Sequence, residues 1–223
     1  MREVVLDTET TGLSAKTGDR LVEIGCIELI KHLPTGEVYH QYINPGVPMP
    51  REALEVHGLS DEFLSDKPRF LEIVDAFLGF VGAAPLIIHN ASFDMGFINS
   101  ELDRIKREPL PNNQAIDTVL LARRKYPGSP ASLDALCRRF EIDNTARTLH
   151  GALLDAELLA EVYLELIGGR QPDLVLANAP LVASNTNSTE RIERKPRPHQ
   201  PTAKELIAHT DFIARMKNPF WKK

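Results

Sequence analysis

Cysteine is nearly absent: Cys26 and Cys137 are the only two in 223 residues. Two lone thiols build neither a disulfide framework nor a structural zinc site. Both are expected to be buried and reduced, Cys26 in a strand and Cys137 in a helix, as suits a cytoplasmic protein. Long apolar runs are also missing. None approaches the roughly 20 residues that span a bilayer, so no membrane role is expected. The opening MREVVLDTETTG turns polar and acidic by Asp7, unlike a secretory signal. Positive charge is scarce where a free-standing nucleic-acid binder would need it. Residues 1–168 carry 26 acidic and 16 basic side chains, net −10, whereas 169–223 carry five acidic and ten basic, net +5. Affinity for a polyanion comes largely from neutralising its phosphates. An acidic body acting on nucleic acid would therefore need cations to offset its charge and a partner to deliver the strand. The plain alternative is a charge that serves solubility.

What is present is one well-buried domain followed by a different kind of chain. Residues 2–6 read as a buried strand ending at Asp7, 21–30 as a second strand and 38–43 as a third. The turn-rich spacers SAKTGD and KHLPTGE make these an antiparallel meander. Residues 44–50, with three prolines, read as loop. Residues 68–82 show helical spacing of Phe70, Ile73, Val74, Phe77, Leu78 and Val81. A strand at 85–89, a helix at 92–106 and a short strand near 115–117 follow, then helices near 118–125, 132–139 and 151–167. Three strands followed by alternating helices and strands predict an α/β layered, mixed sheet. After Gly168-Gly169 the composition shifts. Residues 172–201 are rich in Asn, Ser, Thr and Pro and read as a disordered linker. TAKELIAHTDFIARM then reads as a short helix, and NPFWKK holds the only tryptophan, Trp221.

The informative residues are acidic. Asp7 and Glu9 stand at i and i+2 of a strand, so both project to one face while Thr8 points the other way. Asp94 starts a helix just after a buried strand, with Asn90 and Ser92 as capping candidates. Asp155 lies on the last body helix, and His150 sits on the loop before it. Each alone has a bland reading: a solvated strand end, a first-turn helix acid, a surface histidine. Together, carboxylates meeting in an apolar setting would repel one another unless cations neutralised them, and two divalent cations held by carboxylates are suited to cutting phosphodiesters. Asp117 and Asp134 also fall in regular elements. Asp117 reads as a structural or supporting residue and Asp134 as a first-turn helix acid.

Taken together, DTETTG, HNASFD and LHGALLDA resemble the DEDD superfamily of 3′→5′ exonucleases, in the subclass whose fifth residue is histidine. The other subclass has tyrosine four residues before the last aspartate, where this chain has Gly151. The likeness covers about residues 2–168. VHGLSDEFLSDKP and SLDALCRRFEIDNTARTLHGALLDA make it most similar to the proofreading (epsilon) subunits of bacterial DNA polymerase III. The resemblance implies a ribonuclease H-like α/β fold and two divalent cations, Mg²⁺ or Mn²⁺. It implies Asp7, Glu9 and Asp155 as ligands with Asp94 completing the site, and His150 as general base. It also implies Glu52 and His57 as contacts to the bound nucleotide; read alone, these are a loop acid and a helix-capping histidine. Activity should then rise with pH as an imidazole loses its proton, ordinarily near about 6.5.

The same resemblance suggests an organisation: an exonuclease domain at 1–168, a linker at 169–201 and a polymerase-binding tail at 202–223. Apolar residues on a short terminal segment fit a docking peptide; the alternative is that the segment packs back on the body. Gln171, Leu174 and Leu176 resemble the short peptide that docks on the bacterial sliding clamp, a pattern that chance also produces. The expected partners are a DNA 3′ end, the polymerase catalytic (alpha) subunit, the clamp and a small theta-like subunit. Two other readings stay open: a stand-alone exonuclease for RNA ends or short oligonucleotides, and an adaptor between polymerase and clamp.

Overall fold

In a computed structural model of the chain, the structure describes residues 1–145, 147, 149–169 and 200–216. They fall in two units, within Met1–Leu174 and within Val175–Lys223. Gln171, Leu174, Leu176 and Trp221 lie outside the described residues.

The first unit is a five-stranded sheet in the order β3-β2-β1-β4-β5. Strand β1 (Arg2–Thr10) pairs antiparallel with β2 (Leu21–Ile30), and β2 pairs antiparallel with β3 (Leu33–Tyr42). Strands β4 (Leu86–Ile88) and β5 (Ala115–Asp117) add in parallel on the other side of β1. The meander and the mixed sheet are as the sequence predicts. β1 nevertheless runs through Asp7 and Glu9 to Thr10 instead of stopping at Asp7, because β2 pairs with it along its whole length. The hairpin between β2 and β3 is also tighter than its spacer suggests. Ile30 pairs with Leu33, and Lys31 and His32 both take positive φ, 53° and 67°. A two-residue turn with both φ positive matches the strand twist but normally announces itself as Asn-Gly or Asp-Gly. Lys-His carries no such signal. Pro34 is tolerated in β3 because β3 is an edge strand.

The central strands are buried on both faces, and alternate residues feed two separate cores. Val4 and Leu6 join a layer with helices α3 (Phe70–Val81) and α4 (Ala91–Arg104). Val5 and Ile87 join a layer with α5 (Thr118–Lys125), α6 (Leu133–Phe140) and α7 (Ala152–Leu166). Cys26 and Cys137 are free, buried and in opposite layers, on β2 and α6. Two short helices, α1 (Arg51–His57) and α2 (Asp61–Leu64), follow the proline-rich loop. α1 has a weak sequence signature: seven residues between Pro50 and Gly58, mostly exposed, leave no apolar stripe to count.

In the second unit, α8 (Ala203–Arg215) starts with a capping box. Thr202 Oγ1 accepts from Glu205 N, and the Glu205 carboxylate accepts from Thr202 N. Leu206, Ile207 and Phe212 are exposed on it. No helix among the described residues is long and apolar enough to cross a membrane.

Candidate active site

The chemistry collects at the C-terminal end of β1, beside the parallel strands β4 and β5. Ligand crevices in open α/β sheets form at such strand ends. On β1 the two-residue repeat sends Asp7 and Glu9 to the face covered by α7 and sends Thr8 to the face covered by α4. Asp155 comes down from the α7 layer on the first turn of that helix, where its N–H donates to Gly151 O at 2.8 Å. Asp94 comes up from the other layer on the first turn of α4, and the Thr8 hydroxyl donates to Asp94 Oδ1 at 2.7 Å. All four acids line one cavity of about 840 Å³. Glu9, Asp94 and Asp155 are buried, and Asp7 faces the cavity.

Two local features make the convergence possible. Gly25 of β2 stands opposite Asp7. A β-carbon there would overlap the backbone of Ala152 and Leu153, so the first turn of α7 lies directly on the strand. On the other layer, buried Glu101 of α4 accepts two hydrogen bonds from Arg20, from Nε at 2.5 Å and Nη2 at 2.7 Å. Arg20 N–H in turn donates to Thr11 Oγ1. This ties α4, and with it Asp94, to the loop that leaves β1. Asn90 occupies the N-cap position of α4 in the left-handed region, φ 67°, but its side chain makes no capping hydrogen bond; Ser92 lies inside the helix.

His150 precedes α7, and its imidazole is half exposed. Its N–H donates to Val56 O at 3.0 Å, fastening the loop to α1. One ligand atom each from Glu9, His150 and Asp155 lie within 4.8 Å of one another. His57, the last residue of α1, is buried. Its Nδ1 accepts from Leu59 N at 3.0 Å, and its Nε2 makes no hydrogen bond. Burial holds this imidazole below its ordinary pKa, hence neutral. Glu52, exposed on the first turn of α1, lines the same cavity. Asp117 caps α5 and also accepts from Ala91 N at 3.2 Å, so its carboxylate is spent on helix starts. Asp134 is a first-turn acid of α6, as expected, and it also meets Arg147.

Arg147 is the residue the sequence does not announce. Its guanidinium donates to both oxygens of Asp155, from Nε at 2.5 Å and Nη2 at 2.7 Å. Nη1 donates to Asp134 Oδ1 at 2.9 Å, and Nη2 reaches His150 Nδ1 at 3.0 Å. The one usable signal is an arginine three residues before the histidine of LHGALLDA. His89, Phe93 and Leu13 also line the cavity. His89 Nδ1 and Thr118 Oγ1 lie 2.9 Å apart, and Leu13 is fully exposed at the rim.

The electrostatics are those of crowded, buried carboxylates, which the Arg147 guanidinium only partly offsets. Burial pushes Asp7 well above the usual carboxylate range, helped by Asp94, Glu9 and Asp155. Burial pushes Glu9 up to about 8, with Asp155 and Glu23 adding to it. Burial lifts Asp94 to about 7 against the hydrogen bond from Thr8. The donor set is hard oxygen with one imidazole. That suits divalent cations such as Mg²⁺ or Mn²⁺ and not a thiolate-seeking metal.

A carboxyl whose pKa is raised on folding holds a proton that the unfolded chain has released, so stability falls as pH rises between the two pKa values. With metal chelated, the protein should lose on the order of a few kcal/mol between about pH 4.5 and 8. Glu9→Gln should flatten that slope, and Mg²⁺ should offset it at pH 8. Thermal melts at pH 5 and 8, with EDTA or Mg²⁺, check this; a Glu9→Gln slope equal to the wild-type slope would contradict it.

Residues 4–163 match the family described as Exonuclease. The chain is 48% identical over 223 residues to the DNA polymerase III subunit epsilon of Rickettsia conorii, covering 97% of this chain and 96% of that protein. It is 48% identical over 176 residues to the same subunit of Escherichia coli, covering 76% of this chain and 72% of that one. Among solved structures it is similar to exonuclease X in complex with 5′ overhanging duplex DNA, at TM-score 0.58 and 25% identity, over 74% of this chain and 90% of that one. The nuclease domain of 3′hExo, a DEDDh family member bound to rAMP, has the same fold at TM-score 0.65 and 15% identity, covering 74% of this chain and 91% of that one. Exonucleases of this kind depend on divalent metal, and the donor set just described accommodates it. With an exonuclease domain from residue 4 to 163 and near-complete alignment with the rickettsial proteins, the chain belongs to the DNA polymerase III epsilon subunit family.

Proposed function

We propose that this protein is the 3′→5′ proofreading exonuclease subunit of a bacterial replicative DNA polymerase. The observation that carries the reading is the convergence of Asp7, Glu9, Asp94 and Asp155 from β1, α4 and α7 in one cavity. In this reading Asp7, Glu9 and Asp155 hold two cations, Mg²⁺ or Mn²⁺, and Asp94 completes the set. Bound there, the cations would supply Lewis acidity to the phosphodiester.

The chain's own residues do the rest. His150, half exposed on its loop, takes the proton of the attacking water. Val56 holds the backbone of that loop through its carbonyl. His57, neutral and with Nε2 unspent, and Glu52 contact the terminal nucleotide. The acidic walls turn away a phosphate chain that arrives without cations. Selectivity for errors needs no base reading, because a mismatched 3′ end unpairs more cheaply and reaches a single-strand site more often. The product is a 5′ mononucleotide.

The domain plan belongs to the same proposal: a catalytic body at 1–168, a linker at 169–201 and a polymerase-binding tail at 202–223. The exposed apolar residues of α8 support the last part. Gln171, Leu174 and Leu176 would meet the sliding clamp, and a small theta-like subunit would complete the partners, all in the cytoplasm. The stand-alone nuclease and adaptor readings have less support, since the match to epsilon subunits extends over 97% of the chain.

The test uses full-length protein on a 5′-labelled primer–template with a matched or mismatched 3′ end. Stepwise shortening from the 3′ end is expected, faster for the mismatch, with Mg²⁺ and not with EDTA. Shortening that survives EDTA, or that starts from the 5′ end, would overturn the reading.

A further inference from the structure

Arg147 is only 9% exposed and stands beside the four acids of the site. A guanidinium has five donors and no acceptor. Its Nε and Nη2 cover both oxygens of Asp155, the geometry in which arginine and carboxylate bind most strongly. Nη1 rests on Asp134 of the neighbouring helix. The contact of Nη2 with His150 Nδ1, at 3.0 Å, fixes that nitrogen as the acceptor, since the arginine can only donate. In the neutral ring the proton then sits on Nε2. The nitrogen able to take a proton is thus the one Arg147 already holds, and the carboxylate read above as a cation ligand has both of its oxygens occupied.

Resting on the proofreading-exonuclease reading, we infer that Arg147 is an internal counter-ion and positioning residue: it braces Asp155 against Asp7 and Glu9, yields Asp155 to an incoming divalent cation, and in the same movement releases the acceptor nitrogen of His150. One side chain so couples occupancy of the acidic site to availability of the base. Three features distinguish this from an ordinary structural ion pair. The guanidinium lies in the cavity and not behind it. It bridges the acid and the histidine. Asp134 gives it a second anchor outside the four acids, so it has somewhere to remain when Asp155 is taken.

The experiment measures binding of Mn²⁺ alone to full-length protein, by the loss of the free-ion electron-spin signal, for wild type, Arg147→Gln and Arg147→Lys. Thermal melts in EDTA and in saturating Mn²⁺ accompany it. Arg147→Gln should bind Mn²⁺ about tenfold more tightly, because no guanidinium competes for Asp155. Arg147→Lys, which keeps the charge and loses the fork, should fall between. In EDTA the Gln variant should melt several degrees lower than wild type, and saturating Mn²⁺ should close most of that gap. A merely structural arginine would leave Mn²⁺ affinity equal or weaker and the gap open in Mn²⁺; that result would overturn the inference while leaving the exonuclease reading intact. Wild-type protein that binds no Mn²⁺ would overturn both.

Discussion

His150→Ala should lower turnover by roughly 10²–10⁴-fold, the span of a lost general base, while the apparent affinity for a single-stranded 3′ end changes little. The reason is placement. The imidazole is half exposed and meets Asp155 along one edge, with Nδ1 3.6 Å from Asp155 Oδ2. Its backbone is held separately by Val56. Removing the ring therefore takes away a proton acceptor without dismantling the pocket of β1, α4 and α7. Asp7→Ala should behave differently, losing turnover and cation affinity together, since its carboxylate sits among Glu9, Asp94 and Asp155. Single-turnover rates beside binding measured with a non-hydrolysable 3′ end separate the two. Equal loss of both in His150→Ala would remove the histidine from the base role.

Gly25→Ala should disable the enzyme although residue 25 touches no substrate. Its β-carbon has no room against Ala152 and Leu153, and the obstacle is backbone, which cannot rotate away. Over-packing with movable neighbours costs about 1–3 kcal/mol; here α7 itself has to shift. Asp155 sits on the same first turn of α7, and a displacement of about 1 Å is enough to cost roughly 10²-fold in rate. The variant should therefore melt at least several degrees lower and lose about 10²-fold or more in activity. Gly79→Ala is the matched control. Gly79 lies in α3 with nothing near its missing β-carbon, and alanine there should stabilise by about 0.5–1 kcal/mol. If Gly25→Ala retains wild-type activity, α7 does not depend on that contact.

Much of this arrangement is legible along the chain because two periods are. The two-residue repeat of β1 puts Val5, Asp7 and Glu9 on one face, and the helical spacing of α3 and α7 marks their buried stripes. The resemblance in DTETTG, HNASFD and LHGALLDA points to the same family that the comparisons give. What escapes has physical causes. The hairpin at Lys31-His32 takes positive φ without the residues that advertise it. The helix carrying Glu52 and His57 is too short and exposed to show a stripe. Arg147 has no periodic signature, because its role depends on three partners brought together by folding.

The order of residues along the chain sets which side chains bear charge, which face of each strand and helix is apolar, and therefore a layered sheet with acids at strand and helix ends. Local patterns suffice for that, since burial of apolar faces dominates. It took the folded chain to show that Asp94 enters from the opposite layer through Thr8, that Gly25 admits α7 next to Asp7, and that Arg147 bridges Asp155 and His150. Those are contacts between segments whose sequence separation carries no information about distance, and they exist only once the two layers close around the end of β1.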